Sequence, residues 1–190
     1  MKNIIDIIQE LDLDKKILLD DVPNLDLYMD QVIQLFDNKF AKTDANEKVL
    51  TKTMINNYAK AKLLFPIKNK KYTKNHIILI SLIYHLKGAL SINDIKETLN
   101  GLNQRILDNN QLNIDDVYTS FLHLNEINLD KFKIDLQTSV ENVNIELEQA
   151  DDEIKEYIEQ LLLITSFVNM SNLYRSAAEK LVQDLSDKKE

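Results

Sequence analysis

Residues 50–73 read LTKTMINNYAKAKLLFPIKNKKYT, and this stretch decides the fold. Either Thr51 or Thr53 can cap a short helix, because a hydroxyl oxygen accepts hydrogen bonds from the first helical N–H groups. Pro66 then keeps the preceding residue out of the helical region. The lysine-rich run that follows, residues 67–72, is short enough for a small β-hairpin. The stretch therefore predicts a helix followed by a small hairpin.

Further helices are predicted on the C-terminal side of this stretch. Thr73 can cap a helix over residues 74–87, which is apolar on most faces and should therefore be central. Gly88 is expected to end that helix as its C′ residue. A capping box at residues 91–94 starts another helix, which Gly101 is expected to stop.

On the N-terminal side, Asn24 can cap a helix over residues 25–40. The polar residues 41–48 predict a loop. Residues 1–21 combine helically spaced apolar side chains with acids, which predicts a short amphipathic helix and an acidic linker.

The C-terminal part is predicted to be helical throughout. The expected helices cover about residues 102–108, 114–126, 129–148 and 152–186. Two apolar stripes alternate in threes and fours, as a buried helix face requires. They are Leu129, Phe132, Leu136, Val140, Val143 and Leu147, and then Ile154, Tyr157, Leu161, Ile164 and Val168.

Charge is distributed unevenly along the chain. It has 23 basic and 31 acidic residues, a net charge of −8. Residues 49–93, called here the acid-free segment, contain no Asp or Glu; their eight lysines are Lys52, Lys60, Lys62, Lys68, Lys70, Lys71, Lys74 and Lys87. The remainder, with 15 basic and 31 acidic residues, carries −16. This asymmetry favours an anionic partner for the acid-free segment, with a solvated lysine-rich face as the alternative.

Double-stranded DNA is the expected partner. An α-helix fits the major groove, and an asparagine can bond both N6 and N7 of adenine. The candidate contacts on the first helix of the stretch are Lys52, Thr53, Asn56, Asn57 and Lys60. Lys68, Lys70 and Lys71 of the hairpin would meet phosphates.

Several chemistries are excluded or disfavoured. Without cysteine there can be no disulfide, thiolate metal site or cysteine nucleophile. Two glycines, Gly88 and Gly101, cannot form a glycine-rich phosphate loop. The three histidines, His76, His85 and His123, lack ligand-type spacing. We therefore expect no enzyme activity, metal or cofactor.

The sequence also predicts a cytoplasmic protein that is associated with the nucleoid when bound to DNA. Its longest apolar run near the C-terminus, residues 161–168, is far shorter than the roughly 20 residues that span a bilayer. Acids within the first 14 residues are unlike a signal peptide. No membrane association is expected.

Residues 54–66, MINNYAKAKLLFP, with Lys70-Lys71-Tyr72 and residues 86–96, resemble the DNA-binding domain of MerR-type regulators. In that family a recognition helix containing a tyrosine runs into Leu-Leu-x-Pro, then into a β wing that ends in Arg/Lys-x-Tyr, and then into two helices. The resemblance implies roles for Tyr58, Lys70 and Tyr72. This chain departs from the MerR pattern at two places. It has Asn56-Asn57 where the pattern has Arg-Tyr, so the resemblance does not imply an arginine that binds phosphate. It also has Lys62 where the pattern has Gly.

A closer resemblance is to a bacterial family of unknown function, domain of unknown function 1836. The residues that carry it are 22–32 (VPNLDLYMDQV), 50–60 (LTKTMINNYAK) and 71–73 (KYT). The resemblance extends over about residues 20–125. It implies a MerR-like helix-turn-helix fold and DNA binding.

The predicted fold class is all-α, mostly helical, with a short β-hairpin wing. Residues 1–21 would form the N-terminal helix and linker, and residues 22–112 a MerR-like winged helix-turn-helix domain with its wing at about 67–72. Residues 113–190 would form a helical region for dimerisation or sensing. The expected homodimer interface consists of Tyr157, Leu161, Ile164, Val168, Tyr174 and Leu181, with a buried core helix as the alternative.

The expected function is sequence-specific DNA binding by a homodimeric regulator of transcription. One alternative is a non-catalytic protein-interaction adaptor on a MerR-like scaffold. The other is a small-molecule sensor with weak DNA affinity, which would need an effector of unknown identity and a closed apolar cavity within residues 114–185.

Overall fold

The computed structural model describes residues 10–11, 13–40, 48–108, 113–148 and 152–187, and it is mostly helical. The helices are α1 (Met29–Phe40), α2 (Lys52–Lys60), α3 (Lys74–Leu86), α4 (Ile92–Leu107), α5 (Ile114–Glu146) and α6 (Asp152–Asp187). The strands are β1 (Leu27–Tyr28) and β2 (Lys71–Tyr72), and a 3-10 turn covers Leu19–Asp21. The prediction of a mostly helical chain is confirmed. None of the helices in the described ranges is long and apolar enough to cross a membrane.

The chain forms two compact units. The first unit comprises Lys15–Leu122 with Glu179–Glu190, and the second comprises Met1–Asp14 with His123–Ala178. Both α5 and α6 contribute to each unit. The domain boundaries expected after residues 21 and 112 remain predictions.

The first unit is organised around α3, as its apolar sequence predicts. Residues 76–83 of α3 are all buried, so this helix contacts neighbours on every side. Apolar side chains from α1, α2, α4 and the start of α5 join the same core. Thr73 is the N-cap of α3, as predicted.

A buried polar link ties α3 and α5 to the segment that precedes α1. The Tyr118 hydroxyl donates to the carbonyl of Ile17 at 2.8 Å. Its oxygen also lies 2.8 Å from Ser81 Oγ, and because the phenol proton is already used, the serine must donate there. Tyr118 and Ser81 are fully buried, so these bonds form away from water.

The two strands pair antiparallel, with Leu27 opposite Tyr72 and Tyr28 opposite Lys71. The predicted hairpin within residues 67–72 is reduced to one bridge between Lys68 and Lys71. Tyr72 is buried and pairs with the buried Leu27 from a distant part of the chain.

The predicted start of α1 was wrong. Residues 25–28 do not join the helix, because Leu27 is extended and paired in β1, where its side chain enters the core. The helix starts at Met29, and the Gln31 side chain accepts the Tyr28 N–H at 2.8 Å. Leu25 is 72% exposed and contributes nothing to the apolar face that the sequence assigned to it.

Gly88 follows Lys87, the C-cap of α3, so it occupies the C′ position predicted for it, although its φ is not positive. The expected role of Gly101 was wrong, because Gly101 lies inside α4, which continues to Leu107. Leu99 and Asn103 are buried on either side of Gly101, and this packing holds the helix together through the glycine.

Two further expectations concern the C-terminal helices and the loops. The break expected between residues 126 and 129 is absent, because α5 runs from Ile114 to Glu146 without Pro or Gly. The prediction of a helix over residues 152–186 is confirmed by α6. The expected loop at residues 41–48 and the N-terminal helix lie almost entirely outside the described residues.

The second unit has a small core of its own. Val143 of α5 and Leu147, which follows the end of α5, pack with Leu163 of α6, and four half-buried side chains surround them: Val140, Ile158, Leu162 and Phe167. The first predicted stripe therefore supplies buried residues. The second stripe, on α6, is exposed to solvent.

Candidate nucleic-acid interface

The helix α2 has one buried and one exposed face. Thr51 is its N-cap, and the threonine hydroxyl accepts the Met54 N–H at 3.1 Å. Ile55 and Tyr58 are buried in the core of the first unit. The opposite face consists of exposed side chains: Lys52, Thr53, Asn56, Asn57 and Lys60. The predicted helix and the orientation of its inward residues are thus as expected.

The end of α2 is fixed by a left-handed residue. Lys62 has φ = 61°, and the next residue, Leu63, donates its N–H to the carbonyl of Tyr58 at 2.9 Å. Leu63 and Leu64 are buried, and the Asn103 side chain of α4 donates to the carbonyl of Leu63 at 3.0 Å. The chain that leaves α2 is therefore held firmly against α4.

A tight turn follows at Asn69 and Lys70. Both have positive φ, 52° and 58°, and the Lys71 N–H donates to the carbonyl of Lys68 at 3.0 Å. Two residues with φ > 0 are the signature of the type I′ turn that suits a two-residue hairpin loop. Lys68, Asn69 and Lys70 are exposed at this tip.

The start of α1 lies next to the helix α2 and to the turn at Asn69 and Lys70. Asp30 pairs with Lys52, the first residue of α2, at 2.7 Å. Asp30 also lines an open depression of about 510 Å³ together with Lys70 of the turn; the other lining residues are Tyr28, Met29, Ile67 and Tyr72. The N-terminus of α2 and the turn tip are therefore on the same side of α1's first turn.

The eight lysines of the acid-free segment differ in what they contact. Lys52 and Lys74 form ion pairs with carboxylates, at 2.7 Å in each case. The ammonium groups of Lys71 and Lys87 lie over the rings of Tyr28 and Tyr84. Within the described parts of the chain, no carboxylate is within 4 Å of the other four, which are Lys60, Lys62, Lys68 and Lys70.

The exposed pair between Lys52 and Asp30 holds the lysine only weakly. Both side chains are more than 60% exposed, and an ion pair in such a position contributes about 0–1 kcal/mol. A phosphate can therefore replace the carboxylate at little cost.

Two of the sequence-predicted contacts are inside the core. Tyr58 is 6% and Tyr72 is 3% exposed, and burial raises the pKa of both hydroxyls. Their rings hold α2 and β2 in place and are not available to a macromolecule at the surface. The other eight predicted contacts are exposed, except Lys71, which is half-buried.

His76 is a structural residue that the sequence did not reveal. Its Nδ1 accepts the Thr73 N–H at 3.1 Å, so the proton must be on Nε2, which donates to the carbonyl of Phe65 at 3.3 Å. Burial is the largest influence and lowers the pKa of this imidazole. The neutral ring thus caps α3 and anchors the end of the loop that follows α2.

The residues expected at a dimer interface are all exposed in the single chain, by 41–68%. They do not form one stripe. At 100° per residue, Tyr157, Leu161, Ile164 and Val168 share a face of α6, whereas Tyr174 and Leu181 lie on a different face. We refer to the first four residues as the α6 stripe.

In the ranges that the structure describes, no three His, Asp or Glu side chains form a group that could hold a metal ion. The described pocket between α5 and α6, about 370 Å³, is wide open; its lining is Asn142, Val143, Glu146, Leu162, Thr165, Ser166 and Asn169. It is not the closed apolar cavity that a sensor would need.

Comparison with protein families gives one match, to the family described as domain of unknown function (DUF1836), over residues 17–121. The chain belongs to this family. The match covers more than half of the chain, and it includes α1 to α4, both strands and the candidate interface. It confirms the resemblance to the DUF1836 family that the sequence showed. No curated protein and no solved structure matches the chain.

Proposed function

We propose that this member of the DUF1836 family is a sequence-specific DNA-binding protein that regulates transcription as a homodimer. Its reading element would be α2, and the turn at Asn69 and Lys70 would contact the backbone of the DNA. The exposed, acid-free face of α2 is the observation that carries this proposal.

The chemistry of that face suits the major groove. Asn56 and Asn57 offer paired donor and acceptor groups to adenine, and Thr53 can bond to several bases. The buried Ile55 and Tyr58 fix the helix, so the polar side chains can be presented with little loss of entropy.

The order of elements supports the same proposal. After α2 the chain passes through Leu63-Leu64-Phe65-Pro66 to the turn and β2, and then to α3 and α4. This is the order of the MerR-type DNA-binding domain that the sequence resembles. A MerR-like winged helix-turn-helix is accordingly the proposed fold of the first unit.

Four lysines have no carboxylate partner among the described residues, and they give a quantitative expectation. If Lys60, Lys62, Lys68 and Lys70 each neutralise one phosphate in both subunits, eight contacts form per dimer. The slope of log K against log salt is then about −7, because each contact contributes about −0.9.

A homodimer is proposed because of the α6 stripe. Four large apolar side chains at intervals of four, three and four are exposed on one helix face, and this spacing is that of a coiled-coil seam. Dimeric helix-turn-helix proteins read two half-sites about 34 Å apart, so a second copy would also complete the DNA-binding surface.

The proposal is tested with duplex DNA from the region upstream of the protein's own gene. In fluorescence anisotropy, Asn56→Ala should weaken binding to the preferred sequence by about 5- to 150-fold, since one bidentate base contact is worth roughly 1–3 kcal/mol. The salt slope should not change. The matched control is Asn38→Ala, at an exposed position of α1, and it should leave the affinity unchanged. Equal effects of both variants would contradict a reading role for α2.

A protein-interaction adaptor is the second candidate, and the α6 stripe is also the observation that favours it. The two functions make opposite predictions for the exposed lysines of α2 and of the turn that follows it. Charge reversal at Lys60 and Lys68 should abolish activity of a DNA-binding regulator but leave an adaptor's partner binding intact.

A further inference from the structure

The left-handed residues of this chain are not glycines. Among the described residues, three that are not glycine have φ > 0: Lys62, Asn69 and Lys70. Both glycines, Gly88 and Gly101, have ordinary negative φ. All three left-handed residues lie within nine positions of each other, inside the acid-free segment. Lysine therefore occupies two positions at which glycine would give a more stable fold.

Each of the two lysines occupies a position with a known preference for glycine. Lys62 follows the C-terminus of α2, where the hydrogen bond from Leu63 N–H to the Tyr58 carbonyl forms the closing pattern that glycine most often completes. Lys70 is the second residue of the turn after Asn69, and Asn-Gly is the favoured pair there. A Cβ atom in this conformation is too close to the carbonyl oxygen, and lysine gains no local hydrogen bond that would compensate.

Strained backbone that persists at a surface indicates that the side chain is retained for a reason other than folding. Lys62 and Lys70 are exposed, and no carboxylate of the described residues lies within ion-pairing distance of either. They lie at the two ends of the connection from α2 to β2. Their shared property is a positive charge beside the proposed reading helix.

We propose that Lys62 and Lys70 contact phosphates of double-stranded DNA, and that the chain retains them at the expense of stability. This inference rests on the proposed function, which counts both lysines among its four phosphate contacts, and it adds that the left-handed backbone at these two positions lowers the stability of the fold. The sequence alone marked Lys62 as a departure from the MerR pattern, not as a contact.

The test replaces each lysine with the residue that its backbone favours. In Lys62→Gly and Lys70→Gly, the melting temperature should rise by about 2–4 °C. In the same variants the salt slope should become less negative by about 1.8, since each dimer loses two contacts. Lys62→Arg should keep the slope of the natural protein and show no gain in melting temperature. Lys131→Ala, at an exposed position of α5, controls for loss of one positive charge and should leave the slope unchanged.

The possible outcomes are distinguishable. A higher melting temperature with an unchanged slope would show that the lysines do not contact phosphate, while the proposed function stands. A lower melting temperature of Lys62→Gly would show that its charge stabilises the carbonyl end of α2, and the inference would be wrong. If the natural protein binds no duplex DNA at low salt, the proposed function fails and the inference with it.

Discussion

Replacing Tyr118 with Phe tests the polar link at the centre of the first unit. The substitution keeps the ring and removes a hydroxyl that bonds to the Ile17 carbonyl and to Ser81, both at 2.8 Å. Each buried polar group that loses its partner costs about 1–3 kcal/mol. Ser81 can rotate toward a carbonyl of its own helix and recover part of that loss. The expected decrease in the free energy of unfolding is therefore about 2–4 kcal/mol.

Urea unfolding followed by circular dichroism measures this decrease, which should appear as a lower midpoint with an unchanged slope. Tyr84→Phe is the matched control, since the hydroxyl of the half-buried Tyr84 has no hydrogen-bond partner among the described residues. It should change the free energy of unfolding by less than about 0.5 kcal/mol. In a double mutant with Ser81→Ala the two losses should not add, because the residues share one bond. A loss below about 0.5 kcal/mol in Tyr118→Phe would refute the buried link.

Three further predictions concern other parts of the molecule. Burial lowers the pKa of both His76 and His85 from the usual value of 6.5, so the unfolded chain binds protons at a higher pH than the folded chain does; stability should be complete above about pH 6.5 and fall below it. In urea titrations His76→Asn should make this fall smaller, and the contribution of His85 should remain. Asp30→Asn releases Lys52 and removes a negative charge beside α2. The affinity for DNA, measured by fluorescence anisotropy, should therefore rise by about three- to tenfold at low salt. An unchanged or lower affinity would count against α2 as the reading helix. Ile164→Glu in the α6 stripe should convert the proposed dimer to a monomer, as measured by light scattering. Ile145→Glu, at a similarly exposed position of α5, should leave the protein dimeric. If both variants are monomers, the α6 stripe is not the specific interface.

Local signals predicted the parts of the fold that depend on local chemistry. Thr51 and Ser91 cap helices because their hydroxyls accept N–H groups of the first turn, a feature that the sequence alone specifies. The buried face of α2 followed from the spacing of Ile55 and Tyr58. These features need no knowledge of distant residues.

The errors arose where distant residues decide the outcome. Nothing near Leu27 indicates that it will pair with Tyr72, which is 45 residues away. Gly101 lies within a helix because Asn103 is buried against the carbonyl of Leu63, a tertiary contact that outweighs the low helix propensity of glycine.

The candidate site shows the same division. Exposure of Lys60 and Asn56 followed from the helical period, whereas pairing of Lys52 with Asp30 depends on how α1 packs against α2. The left-handed conformation of Lys62 could be suspected only from the glycine at that position in the MerR pattern. The sequence analysis grouped Tyr174 and Leu181 with the α6 stripe, and in the continuous helix α6 these two residues lie on a different face.

The central claim is that the acid-free segment binds DNA through its lysines. The most direct measurement is the affinity of the natural protein for duplex DNA from its own upstream region, titrated in salt. We expect log K to fall with log salt at a slope near −7, with tighter binding to one sequence than to unrelated duplex. A slope near zero, or no binding at about 50 mM salt, would contradict the claim.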